Sequence, residues 1–166
     1  GEQFCVEGFV MDFYCIDRKF LLDRSSIRTL ERPELHSVHC LVDVDQCNES
    51  PFEILSDPLS GDTLYARGWR LDDATKNRSI DLARTVGSCS TCENRQGLIQ
   101  GFRAALNATV LDLGSSSVPP LISATEIQQS ELGTPSCATG NFVSRDPTNR
   151  LTASGSNLQK KYYAHA

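Results

Sequence analysis

Apolar residues fall in short runs along this chain, broken by charged or Gly/Pro-rich stretches, which favours strands over long helices. Gly8 precedes Phe9-Val10-Met11-Asp12-Phe13-Tyr14-Cys15, an aromatic, β-rich run that predicts a first strand. Residues 17–32 are charged and irregular apart from Phe20-Leu21-Leu22, as expected of a long surface connection. Pro33 opens a predicted helix in which Leu35, Val38, Leu41 and Val42 recur at spacings of three and four. The segment His39-Cys40-Leu41-Val42 also suits a strand. Phe52-Glu53-Ile54-Leu55 predicts a second strand, closed by Asp57-Pro58 and Ser60-Gly61-Asp62. Leu64 to Leu71 predicts a third, with Tyr65, Trp69 and Leu71 on one face.

Residues 72–77 read as a turn, residues 80–84 as a short helix or strand, and residues 89–97 as a loop. The clearest strand is Phe102 to Leu111, where Phe102, Ala104, Leu106, Ala108 and Val110 alternate with Arg103, Ala105, Asn107 and Thr109. That alternation sets Asn107 opposite the core face. Leu121 to Ile127 follows Pro119-Pro120 as a last strand. Beyond Gln128 the chain is rich in Ser, Thr, Asn and Gly. Two parts are therefore expected: a disulfide-rich β-barrel domain over residues 1–128, and an extended C-terminal tail over 129–166 packed on the domain or on a neighbouring subunit.

Composition narrows the class. Hydrophobic residues make up 39% of the 166, enough for one core. Sixteen basic against 21 acidic residues give a net charge of −5, and the basic pair Lys160-Lys161 forms no patch, so nucleic acid is not an expected partner. No apolar run reaches the ~20 residues of a membrane span. The opening Gly1-Glu2-Gln3-Phe4 carries no leader, so a leader, if there was one, is expected to have been removed already.

Seven cysteines change the picture more than charge does. At this density thiols persist best as disulfides outside the cytosol. Cys89-Ser90-Thr91-Cys92 has the shape of half a zinc site, but a second half is missing. Disulfides are expected among Cys15, Cys40, Cys47, Cys89 and Cys92. The count is odd, and Cys5 and Cys137 lie outside the predicted barrel, so these two are the candidates for an interchain bond or a free thiol. Three N-glycosylation triplets agree with secretion: Asn48-Glu49-Ser50, Asn77-Arg78-Ser79 and Asn107-Ala108-Thr109. Pro51 after the first makes Asn48 the poorest acceptor.

Candidate chemistry is sparse. His36, His39, Cys40 and Cys47 are the densest cluster of soft ligands, which makes His36 and His39 the candidate metal residues. The competing reading, favoured by an oxidising compartment, has both cysteines bridged and both histidines packed locally. Cys89-x2-Cys92 opens no helix and so lacks the usual setting of a redox pair. No G-x-S-x-G occurs, and Asp12, Asp43, Asp45, Asp72 and Asp73 read as solvated loop carboxylates. No catalytic set and no cofactor are expected. Tyr65 and Trp69 are the aromatics that an oligosaccharide would use, with Trp69 better suited to the core.

Five strands with short helices before the second and after the third suggest a small barrel. The run Gly8 to Cys15, then His36-x3-Cys40-x6-Cys47, then Phe52-Glu53-Ile54-Leu55, resembles small secreted OB-fold-like β-barrel domains over residues 8–127. The resemblance implies a mainly β, disulfide-stabilised OB-like barrel and carries over no active site. An immunoglobulin-like β-sandwich is the alternative, although Trp69 follows Cys40 and Cys47 instead of lying between a well-spaced pair. The expected function is that of a secreted, non-enzymatic glycoprotein, similar in compartment and architecture to extracellular glycan-coated filament subunits, which assembles with copies of itself. A secreted module that binds carbohydrate or a metal centre is the second expectation.

Overall fold

The computed structural model describes residues 3–86, 99–134 and 136–137. In chain order the elements are β1 (Phe4–Asp12), α1 (Phe13–Arg18), a 3-10 turn (Pro33–Leu35), α2 (Val38–Asp43), α3 (Asp45–Asn48), β2 (Phe52–Ser56), β3 (Ala66–Leu71), α4 (Asp73–Val86), β4 (Arg103–Asp112) and β5 (Leu121–Ser130). The strands close into a barrel in the order β1-β2-β3-β5-β4, with β4 returning to β1. Every pairing is antiparallel except that of β3 with β5. With α4 between β3 and β4, this is the expected OB-like barrel and not the sandwich.

One long strand makes closure possible. β1 pairs with β4 along Phe4–Phe9 and with β2 along Val10–Asp12. At Gly8 it passes so close to β2 that a Cβ would stand 2.0 Å from the Leu55 carbonyl oxygen. The barrel interior holds Phe4, Val6, Val10, Phe52, Ile54, Trp69, Leu106 and Ile122. Trp69 packs on Phe4 with ring centroids 5.2 Å apart. A second, smaller core lies under the long β1–β2 connection and joins Phe9, Met11 and Leu55 of the barrel wall to Cys15, Ile16, Leu21, Cys40 and Cys47.

Several sequence expectations are corrected. β1 begins at Phe4 and ends at Asp12, because the Asp12 carboxylate accepts the Cys15 amide at 2.8 Å and starts a helix there. The helix expected from Pro33 divides, since Ser37 is extended and caps α2 by accepting the Cys40 amide. Residues 72–77 are not a turn but the cap and first turns of the 14-residue α4, in which Asp72 accepts the Thr75 amide at 2.9 Å, and residues 80–84 continue it, as the helical alternative for them expected.

The cysteines also pair differently. Cys5 and Cys137 are bonded to each other with Cα atoms 5.7 Å apart, so neither is unpaired or free for another chain. After β5 the chain returns over the outer side of β1, where Glu7 accepts the Ser130 hydroxyl and, at 2.8 Å, the Ser136 amide. Cys40 and Cys47 form the second disulfide. Cys15, expected to be bridged, is a buried free thiol. Cys89, Cys92 and residues 138–166 lie outside the described residues.

Asn107 does not project from β4. Only 4% of it is exposed, because the Cys5–Cys137 link and Ala105 cover that face and Gln3 accepts its side-chain amide at 3.4 Å. Asn77 is exposed on α4. Asn48 is half-buried and donates to the Val42 carbonyl at 3.2 Å.

Candidate metal centre

Two local sequences build the site in the same way. In Asp12-Phe13-Tyr14-Cys15 and in Ser37-Val38-His39-Cys40, a polar side chain caps a short helix by accepting the amide of the cysteine three residues on. Each cap thereby fixes its cysteine at the start of a helix, facing the second core. Thr29 donates to the Cys15 carbonyl at 2.7 Å, and Ser37 donates to the Asp23 carboxylate, tying the loop over residues 19–32 to both helices. Cys47 arrives on α3, its amide on the Val44 carbonyl at 2.9 Å and its carbonyl accepting the Ser50 hydroxyl at 2.7 Å.

The result is a compact set of donors. One carboxylate oxygen of Asp12 and the sulfurs of Cys15, Cys40 and Cys47 all lie within 4.8 Å of one another, all four residues are buried, and the Cys40 and Cys47 sulfurs are bonded to each other, as the competing reading of the sequence expected. His36 stands behind Asp12: its Nε2 is 2.8 Å from Asp12 Oδ1. Although this is ion-pair distance, neither atom makes a well-directed hydrogen bond to any described residue. His36 is positioned by its own backbone, with its amide on the Pro33 carbonyl at 3.1 Å and its carbonyl accepting the Gly101 amide at 2.9 Å. The barrel thus anchors the site through β1 on one side and through the strand-like crossing of Ser37 with Gln100 on the other.

The electrostatics are divided between the acid and the thiol. Burial works against ionisation of Asp12, but His36 and the Cys15 amide outweigh it and hold the carboxyl below its ordinary range. Burial, reinforced by the neighbouring Asp12 charge, pushes the Cys15 thiol far up. Such a thiol is a poor nucleophile but remains a ligand for a cation that displaces its proton.

Of the residues singled out from sequence, the structure brings together His36, Cys15, Cys40 and Cys47. His39 points elsewhere: its Nδ1 lies 3.0 Å from Asp43 Oδ2, one helical turn on. Trp69 is interior, and Tyr65 packs edge-on against Phe9, so these two form no sugar-stacking surface. Asp12 was set aside as a solvated carboxylate and proves central. Its signal was the three-residue spacing to Cys15 after an apolar strand, a helix-cap spacing.

Fold and site together define a class: an OB-like barrel whose β1–β2 connection encloses a buried Asp–His–three-cysteine cluster. The chain matches no protein family, no curated protein and no solved structure.

Proposed function

We propose that this protein is a secreted metal-binding module whose ion is held by Asp12, Cys15 and the reduced thiols of Cys40 and Cys47. The convergence of these four donor atoms within 4.8 Å in a dry core carries the reading. Tetrahedral zinc, with Zn–S bonds of about 2.3 Å, sets neighbouring sulfurs about 3.8 Å apart. Cys40 and Cys47, joined to each other in the disulfide, must first be reduced and move apart to reach that spacing. His36 is the outer partner that orients the Asp12 carboxylate. Three sulfurs and one oxygen favour a soft or borderline ion, Zn²⁺ ahead of Mg²⁺ or Ca²⁺. The Cys5–Cys137 disulfide and the exposed Asn77 triplet support the extracellular assignment.

Cobalt substitution tests this. Reduced, folded protein carrying Cys89→Ser and Cys92→Ser is expected to take up one Co²⁺ per chain with thiolate charge-transfer bands and tetrahedral d–d absorption. Adding Cys15→Ser is expected to shift and weaken both. Absence of uptake by reduced protein that retains native circular dichroism overturns the reading.

Self-assembly is a second reading. It is favoured by Leu111, Leu113 and Val118, which are 56%, 63% and 37% exposed around the β4–β5 turn. Sedimentation of the glycosylated protein decides it: a monomer at high concentration rejects assembly.

A further inference from the structure

Two of the sulfurs in the donor cluster with Asp12 and Cys15, those of Cys40 and Cys47, are bonded to each other, and a bonded pair cannot hold an ion. We infer, building on the metal-binding reading, that the Cys40–Cys47 pair is a redox gate: the dithiol admits the ion and the disulfide expels it.

The local architecture suits such a gate. Cys40 is held by the Ser37 cap and by Val38, Leu41 and Val42, which are sunk in the barrel core. Cys47 is held by Val44 and Ser50, and Asn48 ties α3 back to Val42. These restraints are independent of the disulfide, so opening it leaves both sulfurs close to Cys15. Both sulfurs are buried, and the side of the short α3 that carries the exposed Asp45 and Gln46 is the nearest solvent face from which an oxidant approaches Cys47. Among the described residues, Cys5 and Cys137 belong to no comparable group of ligand atoms.

The chemistry balances with a small-molecule disulfide as oxidant. One metal-bound thiolate of the pair attacks the oxidant's S–S bond, forms a mixed disulfide and releases one thiolate. The other cysteine thiolate then displaces the second. The protein gains one S–S bond, the oxidant loses one, and two electrons pass to the two released thiolates. The cation is left with Asp12 and Cys15 alone and departs. A dithiol reductant reverses the sequence and regenerates the three-thiol site.

Zinc-loaded protein in the Cys89→Ser/Cys92→Ser background is titrated with glutathione disulfide while a chromophoric chelator reports free Zn²⁺ and mass spectrometry reports the Cys40–Cys47 bond. The expected result is release of one equivalent of zinc per bond formed, with full reloading after dithiothreitol and zinc. His36→Ala is expected to weaken zinc binding by about tenfold or more without changing that stoichiometry. Zinc retained after the bond has formed overturns the gate while leaving the metal reading intact. Failure of the reduced protein to load zinc at all overturns both.

Discussion

His36 Nε2 and Asp12 Oδ1 lie 2.8 Å apart, and both side chains are shut away from solvent. Each offsets the cost of burying the other, so removing one strands its partner in a dry core. Asp12 has a second duty as the α1 cap. Asp12→Ala is therefore expected to lower unfolding stability by about 3 kcal/mol or more. Asp12→Asn keeps an oxygen for the Cys15 amide and is expected to lose less. Urea unfolding at neutral pH measures both, and equal losses would show that the cap contributes nothing.

The two disulfides differ in what they do for stability. Cys5–Cys137 spans 132 residues, whereas Cys40–Cys47 spans 7. On chain entropy alone, the long loop contributes about 5 kcal/mol and the short one about 2.5. Replacing Cys5 and Cys137 together by Ser is expected to lower the urea midpoint about twice as much as replacing Cys40 and Cys47. The reverse order would mean that the small core over the β1–β2 connection, and not barrel closure, limits stability.

The parts of this fold that were legible are those with plain periodicity. β4 alternates along its whole first half, and β2 and β5 are preceded by proline, so these strands and the starts of β2 and β5 could be read. Only residues 80–84 of α4 were open to a helical reading, because its inward residues are Thr75, Ser79 and Ala83, a small-residue stripe at spacings of four with almost no hydrophobic contrast. The start of β1 was hidden by Glu7-Gly8, which interrupts the apolar run where the strand bends between its two partners. Asn107 was placed outward by correct alternation; what covers its face comes from residues 130–137, over a hundred positions from β1. The site was half legible. Spacing put His36 and Cys40 together, but the approach of Cys15 and Asp12 depends on the folding of a 39-residue connection between β1 and β2.

Asp72 gives the protein a specific acid sensitivity. Partial burial opposes its ionisation, but hydrogen bonds from Thr75 and Ser123 prevail and hold its carboxyl below the usual value. A carboxyl with a folded pKa below its unfolded one contributes stability that is complete above about pH 4 and is lost as the pH falls through the folded value. Thermal unfolding between neutral pH and about pH 2 should show this loss. Asp72→Ala is expected to cost about 1 kcal/mol at neutral pH, from loss of the α4 cap, and to flatten the acid limb. An unchanged acid limb in the variant would remove Asp72 as its source.

Gly8 and Gly133 separate two reasons for glycine. Gly133 has φ of +87°, and a Cβ there meets nothing within 4 Å, so Gly133→Ala costs backbone strain alone, about 1–2 kcal/mol. Gly8 has no such backbone, yet its Cβ would stand 2.0 Å from the Leu55 carbonyl oxygen and 3.0 Å from Ile54 Cγ2. The nearer atom is backbone in a paired strand and cannot swing away. Gly8→Ala must therefore push β1 off β2 at the point where β1 changes partners, and a loss of about 3 kcal/mol or more is expected. Because Asp12 ends that same β1–β2 pairing, the displacement should reach the site: hydrogen exchange at Met11 and Phe13 is expected to accelerate in Gly8→Ala and to stay unchanged in Gly133→Ala. Equal exchange in the two variants would mean that the barrel absorbs the clash without moving the centre.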